Sequence, residues 1–140
     1  MIDLEKFQAI FKEYSYIACA YLFGSFASGK TGPMSDMDIA ILLKYPYPQG
    51  RELIHEEDYL AYRISKSFGI REIDLIDLNN QKLIFQHNVL KTSKLIYDSD
   101  PEFRIRFESH VIMEYCDFES TLRFIKRFKR YGLEKRLTKI

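Results

Sequence analysis

Asp36 and Asp38 stand two apart at the head of an apolar run, DMDIAILL, residues 36–43. If that run is a strand, its side chains alternate and both carboxylates project from one face. Two adjacent carboxylates repel unless something positive lies between them. Magnesium suits that place, because it favours one or two carboxylates completed by phosphate oxygens and water. An acidic pair can also do no more than solvate the mouth of a strand, so its company decides. Gly24 and Ser25 precede the pair across a ten-residue return. A glycine lets backbone approach a phosphate closely. A serine opening a helical turn offers a hydroxyl and an amide to a phosphate oxygen. Asp74 lies between Ile73 and Leu75 in IREIDLIDL, residues 70–78. On an inner strand such an acid is costly to bury alone, and Asp36 and Asp38 with a metal would partner it. Three acids from two strands beside a Gly-Ser cradle suit two-metal phosphoryl chemistry on a nucleoside triphosphate. Asp74 is then placed to accept the proton of an attacking hydroxyl. Asp77 falls on the opposite face by strand parity and reads as structural; Glu72 reads as solvated.

A second nucleotide pattern overlaps the first. Gly24 to Thr31 satisfies G-x-x-x-x-G-K-[ST]. In a P-loop, however, the Lys and Thr open a helix whose N-terminus holds the phosphates. Here Gly32 and Pro33 follow at once, and TGPMSD reads as a turn leading into the next strand. The P-loop match is a coincidence, and Lys30 is left as a weak phosphate contact.

The elements that must position these groups follow from periodicity. Asp3 can cap a first helix with Leu4, Phe7, Ile10 and Phe11 on one face. YIACAYLF predicts a strand over 16–23, and 36–43 a central one. Residues 51–68 predict a helix with Leu53, Leu60, Ile64 and Phe68 inward, stopped by Gly69. A third strand over 70–78, a short helix over 80–91 and a strand at KLIYD complete a catalytic core of about 16–98. From Pro101 to about 137, Val111, Tyr115, Phe118, Leu122 and Ile125 recur at steps of four and three, one stripe of a long helix. The fold class is α/β (α+β), a mixed β-sheet covered by helices with a long C-terminal helix, and residues 1–140 form a single domain.

Composition narrows the function classes. No apolar run approaches the roughly 18 residues of a membrane span, and the acid-bearing N-terminus is no signal segment. The expected location is cytoplasmic, with no membrane partner. Cys19, Cys116 and three scattered histidines make neither a zinc site nor a disulfide framework. Cys19 reads as a small buried hydrophobe. The net charge of +1 conceals an acidic body and a basic tail: residues 121–140 hold eight basic side chains and one acidic. The tail's LRFIKRFKRYGLEKR, 122–136, interleaves basic and aromatic residues in a way that could bind RNA. The expectation favoured here is an amphipathic helix with Phe124, Phe128 and Tyr131 packed inward, which argues against direct nucleic-acid binding.

The order G-S, ten residues, D-x-D, then a third Asp in an apolar strand resembles the nucleotidyltransferase superfamily that includes polymerase β-type enzymes. The short chain and EIDLIDL resemble its minimal (MNT) branch, the MntA-like antitoxins of HEPN/MNT toxin–antitoxin pairs. The likeness covers about 16–98 and leaves the basic helix unassigned. It implies a polymerase β-like fold. It makes Gly24 and Ser25 the triphosphate-binding pair, with Ser35 a further phosphate contact. Asp36 and Asp38 become ligands shared by two magnesium ions, and Asp74 the third acid and ligand. It also implies ATP as donor and a tyrosine of a cognate HEPN-domain RNase toxin as AMP acceptor. Two other readings stay open: an antitoxin that neutralises by binding alone, and a nucleotidyltransferase acting on RNA or a small-molecule hydroxyl.

Overall fold

The computed structural model describes residues 3–24 and 36–137, with side chains through residue 132. Helix α1 spans Leu4–Phe11, and the Asp3 carboxylate accepts the amides of Glu5 and Lys6 at its start. Phe7, Ile10 and Phe11 are buried, whereas Leu4, expected on the same face, is half exposed. Strands β1 (Ile17–Phe23) and β2 (Met37–Leu43) pair antiparallel in the middle of the sheet. Nearly every side chain of both is buried, which is why each reads as an almost unbroken apolar run.

Helix α2 (Arg51–Phe68) buries Leu53, Leu60 and Ile64, and Phe68 stacks on Phe7 with ring centroids 4.4 Å apart. Gly69 ends it with φ +65°, a left-handed cap. Strand β3 (Ile73–Asp77) runs parallel to β2, and β4 (Lys94–Asp98) lies antiparallel to β1. The strand order is β3-β2-β1-β4. β3 is therefore an edge strand and not the inner one expected of 70–78. An apolar-acid alternation does not record how many neighbours a strand has. The helix expected over 80–91 starts later, as α3 (Leu83–Thr92), after a 3₁₀ turn at Leu78–Asn80. Asn79 sets that turn: its side chain accepts the Leu43 amide and donates to the Leu43 carbonyl, both at 2.7 Å.

The sheet has a core on each side. α1 and α2 cover one face over Ile17, Ala20, Leu22, Ile39, Ile41 and Leu43. On the other, α3 and the start of helix α4 (Pro101–Leu137) cover Ala18, Cys19, Tyr21, Ala40 and Leu42. The Asp100 carboxylate accepts the Phe103 amide at the head of α4. Tyr21 donates to Glu108 at 2.7 Å, and Arg104 bridges Asp98 and Glu108, pinning α4 to β1 and β4. Cys19 is fully buried, and its thiol is pushed up to about 12 chiefly by that burial.

The stripe on α4 holds to the body only as far as Val111, which is buried, and Tyr115, which stacks on His87 at 3.6 Å. Phe118, Leu122 and Ile125 are about 40% exposed, at 41%, 38% and 42%. Phe124, Phe128 and Tyr131, expected to pack inward, are more than 60% exposed. The reason is length. Thirty-seven helical residues reach about 55 Å, farther than a four-stranded sheet can cover. No helix among the described residues is long and apolar enough to cross a membrane.

Candidate active site

β2 and β3 run parallel in a register that sets Asp38 directly beside Asp74. Both side chains leave the sheet on the face of Ala40 and Leu42, the side covered by α3 and α4. Their cross-strand pairing brings the Asp74 carboxyl close enough to act on that of Asp38. Partial burial, that proximity, and the charges of Asp74 and Asp36 together raise the Asp38 carboxyl above the usual carboxylate range. Asp74 is exposed because β3 is an edge strand, so it is open to an incoming group. Asp36 lies one residue outside β2 and is also exposed.

Gly24 completes the cluster from the neighbouring strand. It follows Phe23, which pairs with Asp38 across β1 and β2. Its φ is +75°, and a Cβ built there would fall 2.3 Å from an Asp38 carboxylate oxygen. Only glycine fits on both counts. Besides the close approach of a phosphate expected from the sequence, Gly24 has a role the structure adds: it makes room for Asp38. Ser25, Ser35 and Lys30 lie outside the described residues.

Among the described residues, no three acidic, histidine or cysteine side chains stand close enough to enclose an ion. Asp38 and Asp74 nevertheless fit a divalent cation. Two neighbouring carboxylates must share a proton or hold a positive charge, and oxygen-only donors suit magnesium. Asp36 is near enough to act on Asp38 through its charge.

Asp77 faces the other side of the sheet. It accepts a hydrogen bond from Asn80 at 2.7 Å, and its charge acts on Glu57 of α2. Glu72 is exposed. One neighbour of the site escaped the sequence reading. The Phe23 ring meets Phe85 of α3 edge-on at 5.8 Å, which walls the acids' face of the sheet with aromatic carbon. The available signal was parity, since Phe23 shares its face with Tyr21.

The family model described as polymerase beta, nucleotidyltransferase matches residues 5–102, well over half of the chain. No curated protein matches it. Among solved structures, a toxin–antitoxin with AMP-PNP is similar at TM-score 0.69 and 20% identity, over 89% of this chain and 95% of that one. The MntA-HepT toxin–antitoxin is similar at TM-score 0.62 and 19% identity, over 87% and 92% of the two chains. A tri-AMPylated Shewanella oneidensis HEPN toxin in complex with MNT antitoxin gives TM-score 0.63 at 19% identity, over 87% and 91%. At these identities the likeness is one of fold, and it extends to nearly the whole length of each matched chain. With the family match spanning the sheet and all three acids, the chain belongs to the polymerase beta nucleotidyltransferase family.

Proposed function

We propose that this chain is an antitoxin that acts as a protein adenylyltransferase, moving AMP from ATP to a tyrosine of a cognate HEPN-domain RNase toxin. The observation that carries the reading is Asp38 and Asp74 side by side across β2 and β3, with Gly24 shaped to admit the Asp38 carboxylate. Structures of similar fold support the choice of donor and acceptor, since they include one with AMP-PNP and one with an AMPylated HEPN toxin.

In this reading the tyrosine oxygen bonds to the α-phosphorus of ATP. The bond from that phosphorus to the bridging oxygen breaks, and pyrophosphate leaves. Asp74, exposed at the sheet edge, takes the tyrosine proton. Asp38 is held rigidly on a central strand and fixes the geometry of the cluster. Gly24 and Ser25 receive the triphosphate at the end of β1, with Ser35 a further contact. Two magnesium ions held by Asp36, Asp38 and Asp74 would neutralise the charge that builds on the phosphoryl oxygens.

The test uses ATP labelled at the α-phosphorus, the HEPN toxin and magnesium. Label should pass to the toxin, and the Asp36→Asn, Asp38→Asn double variant should transfer none while keeping its fold. Several kcal/mol of lost charge stabilisation corresponds to at least about a thousandfold. If the double variant still neutralises the toxin, the protein acts by binding. If label reaches RNA but never protein, the acceptor assignment is wrong.

A further inference from the structure

The outer part of α4 presents an apolar seam that its own body does not cover. Phe118, Thr121, Ile125 and Phe128 recur at steps of three, four and three, the spacing of a coiled-coil core. Leu122 and Phe124 flank it, and every one of these six side chains is exposed. The helix is also divided by charge. Between 101 and 120 it holds five acidic and two basic residues; between 121 and 132 it holds five basic and none acidic. Arg123 of that basic set is paired within the helix, to Glu119.

These two patterns share one centre of symmetry. Opposed antiparallel about residue 123, two copies of the helix put Phe118 level with Phe128, and Thr121 level with Ile125. The same alignment sets Asp117 and Glu119 of each copy level with the other's Lys129 and Arg127, and Glu114 within two residues of the height of Arg130. A parallel pairing would stack basic on basic and acidic on acidic. The overlap lies almost wholly beyond Val111, which is buried, and Tyr115, which stacks on His87. We propose that the occupant of this seam is a second copy of the same chain, and that α4 forms an antiparallel two-helix dimer. This stands apart from the adenylyltransferase reading, and neither depends on the other.

The measurement is the solution mass of the full chain alone, by light scattering across a range from about 1 to 100 μM. The expected result is a concentration-dependent dimer. Ile125→Glu with Phe128→Glu should halve the mass while leaving the melting temperature unchanged, because both side chains are exposed. Direction is tested in a Cys116→Ser background. Phe118→Cys mixed with Phe128→Cys should give a mixed disulfide under oxidation, and neither variant alone should cross-link. A monomer at the highest concentration would overturn the proposal, as would self-pairs in place of the mixed disulfide. So would a wild-type monomer whose seam substitutions abolish binding of the HEPN toxin, which would make the toxin the occupant.

Discussion

At the scale of single residues, Gly24 and Asp38 form one device. A side chain at 24 would meet the Asp38 carboxylate, and the backbone there is left-handed. Gly24→Ala should cost about 1–3 kcal/mol in strain. Displacing a reacting group by about an ångström should slow AMP transfer by roughly a hundredfold. Gly50 is the control: its φ is +60° but open space surrounds it. Gly50→Ala should lower the melting temperature comparably and leave transfer intact. A transfer rate unchanged in Gly24→Ala would show that this contact does not matter. Glu57 belongs to the same scale. Burial first, then the charges of Asp77 and Asp58, raise its carboxyl from 4.5 to about 7. A carboxyl raised on folding contributes stability in acid and loses it as pH rises through the folded value. Glu57→Gln stays neutral, so its melting temperature should match the wild type near about pH 4, below the unfolded value, and exceed it near about pH 8. Equal curves at both pH values would remove this source of strain.

At the scale of elements, the question is what holds β2 and β3 in the register that makes Asp38 and Asp74 neighbours. Asn79 closes the end of β2 by pairing both polar backbone groups of Leu43, one turn after β3 ends. Asn79→Ala would leave a donor and an acceptor unpaired there, about 1–3 kcal/mol, read as a lower denaturation midpoint with the slope preserved. Transfer should also fall, since the turn anchors β3. Much of this was legible in the sequence. The two central strands announced themselves because burial on both faces leaves an apolar run. Gly69 marked the end of α2 because a left-handed cap calls for glycine. Parity put Asp36 and Asp38 on one face, and the cost of burying a lone acid pointed to Asp74 as their partner; the β2–β3 register is what sets Asp38 beside Asp74. The edge position of β3 was not legible, because pairing is a long-range property that a five-residue pattern does not encode. Nor was the role of Asn79, whose partner lies 36 residues earlier.

At the scale of the whole molecule, the sheet with α1, α2 and α3 is a closed body, and α4 leaves it. The apolar stripe on α4 looks the same in sequence whether its own body or another molecule covers it. That is why Phe124, Phe128 and Tyr131 were expected inside and are found outside. The body thus offers an open edge at Asp74 for a large acceptor, and α4 offers a separate surface for association. The reaction at that edge is the central claim. Its most direct measurement is the intact mass of the HEPN-domain toxin after incubation with this protein, ATP and magnesium. The predicted result is a gain of whole AMP residues on a tyrosine, absent without magnesium and absent with Asp38→Asn. A toxin of unchanged mass that is nonetheless silenced, or an AMP gain that persists in Asp38→Asn, would contradict it.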